Sequence, residues 1–555
     1  MLPYAHNYYG TGTGTVPERS SQGVHIADLS LIEQPIARGA SVTAFVGRTL
    51  RGPVNRPIAI ASFAHFQQVF GGLWQPSPLS YAAEQFFEQG GTNAVVVRVA
   101  NGGAPPTITL PCGSETLTLQ ALSIGTREFL RAAVDYDNVE ANETDRFNLV
   151  LQRVRAPDSE RIEEQETFRR VSVDRGTNRF VGHVLMDSSL ARVLGEAPAV
   201  RPDPTFLPGN RSQGGGYRHS NLDGDDGGPL SDYDLIGSAT DSKGLFALAG
   251  IENLGFVYIP PLTRTTDVGA STLLVAAKFC RERRAVLIVD PPIEWSNVEA
   301  AVRGARNFDF SSDQAVMFFP RIVVHDRLRG RAEIFANGGV VAGMLSRIDA
   351  YKPVWALRQP EPDYVPRGGV RLAVVLTEAE RWRLAANGVN GLQAAKSAGP
   401  VRLLTRTLAG GAHVAADWGY LAPRRFALFI VDAIERGTRW VVWSTSGPTI
   451  WRRVVRQVNS FMSDLVAQGS FGELPAAQAF FVICDERVNH ESDIEAGRCN
   501  IVVGFAATRR GEYHTVMVTH ALSGSLVRTI AVNRYEMPTP LPPESENAAA
   551  AGLQD

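Results

Sequence analysis

Apolar residues in the central part of the chain follow two alternating patterns. Residues 94–99 and 285–289 are short, almost continuously apolar runs, which is typical of strands buried on both faces of a parallel sheet. Stretches at about 268–284 and 295–306 instead repeat their apolar residues at helical spacing. Repeated strand–helix–strand units of this kind predict a mostly parallel sheet with helices on both faces.

The pattern changes between about residues 106 and 222. Residues 146–154 and 168–173 alternate apolar and polar positions as half-buried strands do, and helical spacing is rare. The region ends in a loop rich in glycine and aspartate at 214–228. It therefore predicts a β-rich domain inserted into the α/β core, and we expect it to face outward.

Two helices dominate the pattern near the C-terminus. The first, over 424–436, is followed by a predicted strand at 440–443. The second, over 451–466, carries its large apolar residues on one face without a miss, at Trp451, Val454, Val455, Val458, Phe461, Met462, Leu465 and Val466. Together they predict an α+β domain.

The predicted fold class is therefore α/β and multidomain: a mostly parallel α/β core with an inserted β-rich domain, an α+β C-terminal domain and extended terminal arms. The predicted parts are an N-terminal arm (1–22), the first part of the core (23–105), the inserted outer domain (106–222), the rest of the core (223–400), a C-terminal assembly domain (401–535) and a disordered tail (536–555).

Composition narrows the function. The chain has 55 basic and 57 acidic residues, so no basic excess exists to neutralise phosphates, and we expect no nucleic-acid partner. No apolar run is long enough to span a membrane and no signal peptide is evident, so we expect synthesis in the cytoplasm without a membrane anchor. The four cysteines do not form a disulfide framework.

Candidate chemistry is sparse. The phosphate-loop, zinc-protease, nucleophile-elbow and EF-hand motifs are missing from the sequence. The acidic residues at 223–234 could hold calcium or form hydrogen-bonded turns. Cys484, His490 and Cys499 could meet at a zinc ion, although no C-x-x-C pair supports this. The neighbouring pairs His325-Asp326 and His490-Glu491 are not oriented for base catalysis. We predict no catalytic residue, metal or cofactor.

Short motifs along the chain occur in an order that resembles contractile tail sheath proteins. The motifs are Gly23-Val-His-Ile26, Thr43-Ala-Phe-Val-Gly47, Phe70-Gly-Gly72, Glu166-Thr-Phe168, Phe335-Ala-Asn-Gly-Gly-Val-Val-Ala-Gly343, Arg439-Trp-Val-Val442 and Ala479-Phe-Phe-Val482. The resemblance covers roughly residues 23–520. The loop around Asp223 departs from the family because the usual double glycine before it is not intact.

The resemblance implies a structural subunit. Such subunits form stacked hexameric rings around an inner tail tube protein, and their contraction drives the tube through a target envelope for genome ejection. The expected partners are other copies of the chain, the tube, and baseplate and tail terminator proteins, and the expected location is a virion tail. The alternatives are the sheath of a phage-tail-like bacteriocin or extracellular injection system and, from another class, an α/β hydrolase-type enzyme, which should carry a convergent polar site.

The resemblance, taken with the residues present, implies two assembly surfaces. Chain ends are predicted to add strands to neighbouring subunits, or else to close the chain's own sheet; the candidate residues are Gly23, Val24, His25, Ile26, Tyr513, Thr515, Val516 and Val518. A second candidate strand lies at 527–532. The polar face of the helix over 451–466 carries Arg452, Arg453 and Arg456, which either contact an acidic inner tube or form a solvated face.

Overall fold

The structure is a computed structural model. It describes residues 41–157, 159–206, 216–355, 365–368, 370–393, 404–409, 418–444, 447–509 and 512–530. The predicted arm at 1–22, the predicted strand at 23–26 and the tail at 536–555 lie outside the described residues. Elements are numbered in chain order. In the described part of the chain, no helix has both the length and the apolarity needed to cross a membrane.

A seven-stranded sheet forms the centre of the α/β core. Its strands are β1 (Val42–Gly47), β2 (Pro57–Ile60), β3 (Ala94–Arg98), β11 (Leu254–Tyr258), β12 (Val286–Val289), β13 (Ala315–Phe319) and β17 (Asn390–Gly391). They are ordered β17-β13-β12-β11-β1-β3-β2, and every neighbouring pair is parallel except β2 with β3. The prediction of a mostly parallel sheet is confirmed.

Helices cover both faces of this sheet. One face packs against α1 (Phe63–Phe70), α2 (Pro78–Glu88) and α7 (Gly338–Tyr351). The other packs against α5 (Ala270–Arg283), α6 (Val298–Arg306) and α8 (Glu378–Ala385). Strand β1 divides its side chains between them, with Ala44 and Val46 in one hydrophobic cluster and Phe45 in the other. Burial on both faces explains why these strands are continuously apolar.

Smaller elements lie beside the central sheet. A three-stranded antiparallel sheet contains β14 (Ile322–Asp326), β15 (Arg331–Phe335) and β16 (Arg371–Leu372). The short helix α4 (Asp232–Ile236) and a 3₁₀ segment (Gly244–Gly250) precede β11.

The segment between β3 and α4 forms two antiparallel sheets. One contains β4 (Thr107–Cys112), β5 (Glu115–Ala121) and β9 (Ala191–Val193). The other contains β6 (Leu130–Asp135), β7 (Arg146–Val154), β8 (Ile162–Ser172) and β10 (Arg218–His219). The short helix α3 (Val181–Val184) packs with them around a hydrophobic cluster of their own. The predicted domain boundaries stay predictions.

The C-terminal part combines helices with a four-stranded antiparallel sheet. Its helices are α9 (Leu421–Gly437), α10 (Pro448–Ala467), α11 (Ala476–Ala479) and α12 (Glu491–Glu495). Its strands, in sheet order, are β18 (Phe480–Ile483), β19 (Cys499–Arg509), β20 (Glu512–Ala521) and β21 (Gly524–Thr529). The predicted apolar face of α10 is confirmed, because six of its eight residues are buried and the other two pack against the cluster.

The strand predicted at 440–443 is wrong. Arg439–Trp443 is a 3₁₀ helix that continues from the end of α9, with bonds from Val441 N to Thr438 O and from Ser444 N to Val441 O. Only Val441 is buried in this segment, and Trp443 is 79% exposed. Aromatic and β-branched residues form a strand only where a neighbouring strand is available for pairing. Here the segment connects two helices and has no such neighbour among the described residues.

Candidate assembly surfaces

The arginines of α10 do not form one uniform face. Arg452 and Arg456 are exposed, and within the described residues neither forms an ion pair. They lie one turn apart, so both side chains occupy the same side of the helix. Arg453 is half-buried, and its guanidinium lies 5.2 Å from the ring centre of Trp440. Two of the three predicted arginines are therefore presented outward together, and the third stabilises the packing of the 3₁₀ segment.

The predicted donor strand in the C-terminal sheet lies at its centre. Residues Tyr513, Thr515, Val516 and Val518 belong to β20, which pairs with β19 on one side and with β21 on the other. In the single chain this segment therefore closes the chain's own sheet, which was the alternative that the sequence left open. The outer strands of the sheet are β18 and β21. Exchange of this central strand would require one of its two neighbours to leave.

The strand β21 has the character of an edge. Its side chains alternate between half-buried and exposed, and Leu526 is 54% exposed. It overlaps the second candidate strand of the sequence, although residues 531–532 lie outside the described part. Whether chain ends are exchanged between subunits stays a prediction, as does the role of residues 23–26.

Two connections that run side by side join the β-rich segment to the core. Asn101 pairs with Gly228, and Ala104 pairs with Asp225, as antiparallel bridges. The bonds at the second bridge are 2.8 Å from Asp225 N to Ala104 O and 3.1 Å from Ala104 N to Asp225 O. The chain therefore leaves and re-enters the core at nearly the same place.

Arginines of the core stabilise this junction. The buried Arg98 donates to Gly52 O (2.7 Å) in the core and to Ile124 O (3.0 Å) in the β-rich segment. Its burial lowers its pKa to about 10. Arg51 forms an ion pair with Glu163 at 2.7 Å, which links the core to β8. Sequence patterns did not reveal these residues, because an isolated arginine after an apolar strand carries no signal for the carbonyls that it meets.

Hydrogen bonds occupy the acidic loop that could have held calcium. Both carboxylate oxygens of Asp223 accept from Thr107 N and Oγ1, and both oxygens of Asp226 accept from Thr126 N and Oγ1. Asp225 accepts from Gly227 N at 3.2 Å. Burial by itself would raise the pKa of the Asp223 carboxyl. The two hydrogen bonds from Thr107 together have the larger effect, so the pKa is lowered. These aspartates connect the loop to the β-rich segment as hydrogen-bonded turns do.

A polar cluster missed by the sequence analysis lies at the carboxyl ends of the parallel strands. Asp290, just after β12, accepts from Tyr258 Oη (2.7 Å) and from Gly338 N (2.8 Å) at the start of α7. Burial raises the pKa of Asp290 to about 6. Arg321 forms an ion pair with Asp267 and donates to Pro291 O. The sequence feature that could have revealed this cluster is the aspartate that directly follows a buried strand. Because each group is bonded to another part of the fold, the cluster positions α7 on the sheet.

Among the described residues, the two histidine–acid pairs that the sequence offered do not form a base for catalysis. His325 is exposed on β14, whereas Asp326 is buried and forms an ion pair with Arg264, so the two neighbours point to opposite faces. His490 is exposed at the start of α12. Within the described residues, no three histidine, cysteine or acidic side chains are close enough to hold a metal ion.

This chain is similar to solved structures but not to the family models or curated proteins with which it was compared. No family model matches it, and no curated protein matches it. The sheath tail protein Lin1278 from Listeria innocua superposes with a TM-score of 0.58 at 11% identity, covering 87% of this chain and 95% of that one.

Two further solved structures come from contractile assemblies. The contracted helical sheath of the anti-feeding prophage gives a TM-score of 0.51 at 15% identity, covering 89% of this chain and 98% of that one. The contracted PVC sheath of an extracellular contractile injection system gives 0.50 at 13% identity, covering 90% and 96%. The chain has the fold of contractile tail sheath proteins. The resemblance read from its motifs is confirmed at the level of the fold.

Proposed function

We propose that this protein is the structural subunit of a contractile tail sheath, which polymerises as stacked hexameric rings around an inner tube and shortens to drive the tube through a target envelope. The observation that supports this proposal most directly is the extent of the fold similarity. It covers 87–90% of this chain and 95–98% of the three sheath proteins, so it includes the core, the β-rich segment and the C-terminal part together.

The polar groups of the core support a structural role over an enzymatic one. A doubly wound sheet binds its ligands at the carboxyl ends of its strands. In this chain the polar groups at those ends are bonded within the fold. Tyr258 donates to Asp290, Asp290 accepts from Gly338 N at the start of α7, and Arg321 donates to Pro291 O. The work of contraction would then come from two packings of the same subunits, without a cofactor.

Electron microscopy of the purified protein tests this proposal. A sheath subunit should form striated tubes of uniform diameter in negative stain, alone or when expressed with its tube protein. A chain that stays monomeric and folded under both conditions would contradict the proposal. Microscopy of isolated particles would then distinguish a phage tail, which carries a DNA-filled head, from an injection particle, which does not. The similarity to the PVC sheath supports the injection particle as a second candidate.

The inner-tube contact is proposed for the exposed side of α10. Arg452 and Arg456 present two positive charges without an acidic partner among the described residues, and an acidic stripe on the tube would complement them. Exposed ion pairs contribute about 0–1 kcal/mol each, so such contacts are individually weak enough to release when the sheath expands. Many subunits acting together would still position the sheath on the tube.

Strand exchange is proposed for the chain ends. The edges of the C-terminal sheet at β18 and β21 are where a strand from a neighbour would add, through backbone hydrogen bonds. Residues 23–26 alternate as a donated strand should, with Val24 and Ile26 on one side. About five bonds at roughly 0.5–1.5 kcal/mol each would keep subunits connected while other contacts re-form.

The β-rich segment is proposed to face away from the tube, toward the outside of the particle. The chain enters and leaves it at one double-stranded junction, at Asn101 with Gly228 and Ala104 with Asp225, which suits an appendage better than a part of the lattice. The proposed partners are further copies of this chain, the tube, and baseplate and tail terminator proteins, in the tail of a virion assembled in the host cytoplasm.

A further inference from the structure

Two cysteines that are distant in sequence meet in the C-terminal part. Cys484 directly follows β18, and Cys499 is the first residue of β19. Their Sγ atoms lie 4.0 Å apart although the residues are separated by 15 positions. Both side chains are buried, at 3% and 4% exposure. The antiparallel pairing of β18 with β19, from Phe480 with Phe505 to Ile483 with Val502, brings the two sulfurs together.

The surroundings hold this pair in place. Asn489 bonds to the backbone of the residue after Cys499, with its Oδ1 accepting from Asn500 N at 2.7 Å and its Nδ2 donating to Asn500 O at 2.9 Å. The same amide nitrogen lies 3.8 Å from Cys484 Sγ. The other two cysteines, Cys112 and Cys280, are buried in separate hydrophobic clusters. The contact between Cys484 and Cys499 is therefore a property of this one site.

We propose that Cys484 and Cys499 are a site of reversible disulfide formation, reduced when the chain is made and oxidised by small disulfides such as glutathione disulfide. One thiolate attacks the small disulfide, forms a mixed disulfide and releases one thiolate of the reagent. The second cysteine attacks the protein-bound sulfur, forms the Cys484–Cys499 bond and releases the other. Two protons leave the protein, the two cysteines lose two electrons, and the reagent is reduced to two thiols.

Geometry permits the bond without rebuilding the sheet. A disulfide needs its sulfurs about 2.05 Å apart, so they must approach by roughly 2 Å, which rotations about the side-chain bonds can supply. Cys499 is the expected first nucleophile, because its hydrogen bond with Cys484 lowers the pKa of the Cys499 thiol. The segment between the cysteines contains α12, which has no buried residue, so local opening there would admit the reagent.

Closing this loop should stabilise the C-terminal part. A crosslink across about 15 residues reduces the conformational entropy of the unfolded chain, and we expect the melting temperature of this part to rise by roughly 5–10 °C on oxidation. The proposal does not depend on the sheath function, since it concerns only the chemistry of one sheet.

Peptide mapping of the full chain tests the site. Reduced protein is incubated at 37 °C with excess glutathione disulfide and a trace of glutathione, then alkylated in denaturant and digested with trypsin, which cuts between the cysteines after Arg487 and Arg498. The expected product is one crosslinked peptide pair containing Cys484 and Cys499, with Cys112 and Cys280 alkylated. Recovery of all four cysteines as alkylated thiols, or of crosslinks between chains, would overturn the proposal.

Variants separate the crosslink from the packing of the cysteines. Wild type should gain thermal stability on oxidation and lose it again with dithiothreitol. Cys499→Ala and Cys484→Ala should show no change between the two conditions, whatever their starting stability. An equal shift in wild type and variants would assign the effect to another group and reject the site. Because the mapping is done on wild type, it tests the crosslink even where a variant folds poorly.

Discussion

The β-rich segment and the C-terminal part are both built from antiparallel sheets, but they use their polar groups differently. In the β-rich segment, carboxylates such as Asp223 and Asp226 are saturated by neighbouring hydroxyl and backbone groups. In the C-terminal part, Arg452 and Arg456 are exposed on α10, and the sheet ends in the edge strand β21. Both regions have sheet edges, so the difference between them lies in their charged groups: a carboxylate that is hydrogen-bonded within the fold needs no partner, whereas an exposed charge without one is free to meet a partner.

The largest effect on assembly is expected from truncating the N-terminus, because its proposed strand would add to the C-terminal sheet of a neighbouring subunit. Removing residues 1–27 should give a soluble, folded monomer that no longer assembles, because the donated strand is lost. Light scattering and negative-stain microscopy would measure this. A finer test uses point variants. The double variant Val24→Asp, Ile26→Asp changes one side of the proposed strand, and His25→Asp, on its opposite side, is the control. Tubes indistinguishable from wild type after the truncation would contradict strand exchange.

A smaller but specific effect is expected from the arginines of α10. Arg452→Glu with Arg456→Glu should give sheaths that assemble empty or already contracted, because reversed charges repel an acidic tube. Coexpression with the tube protein and microscopy at low and high salt would detect it, since exposed ion pairs are screened by salt. Arg453→Gln is the matched control, because that side chain lies over Trp440 and should alter stability without emptying the sheath.

Normal extended, tube-filled sheaths in the double reversal would assign Arg452 and Arg456 to a solvated face. That result would remove the proposed difference in exposed charge between the two regions.

A moderate loss of stability at acidic pH is expected from His520, a buried residue of β20. Its Nε2 lies 2.8 Å from Thr438 Oγ1, which itself donates to Ile434 O, so the neutral ring donates there and accepts from Ser525 Oγ at Nδ1. Burial lowers its pKa to about 4, while the nearby Glu435 and Arg439 have opposing effects. Its contribution is therefore complete above pH 6.5 and falls as the pH drops toward 4.

Denaturant titrations of wild type and His520→Gln would measure this loss. The difference in unfolding free energy between them should shrink by about 2 kcal/mol from pH 7 to pH 5. The variant removes only this titration, so other acidic effects cancel in the comparison. A difference that does not change with pH would show that His520 is not held neutral.

The smallest effect on assembly is expected from removing the β-rich segment. Joining Ala104 to Asp225 by a short turn should preserve the junction, and the shortened chain should still form tubes. Arg98 would lose its bond to Ile124 O, so a second version with Arg98→Leu avoids an unpaired buried charge. A folded monomer from both versions would place this segment in the lattice and remove the contrast with the C-terminal part.

Local patterns predicted much of the architecture. Continuously apolar strands separated by helices required a covered parallel sheet, and the apolar stripe on α10 matched its buried face. These features depend on which residues must avoid water, and periodicity records that directly. The same rule failed at 440–443, because strand propensity cannot indicate whether a sheet edge is nearby.

Which distant groups meet depended on the tertiary fold. Spacing along the chain was enough to predict the fold class and to identify a group of arginines on the polar face of α10. It could not show that Tyr513–Val518 lies between two strands of its own sheet, that Arg453 turns to Trp440, or that Cys484 reaches Cys499. These outcomes depend on register and on contacts between distant segments, and a single sequence carries no local signal for either.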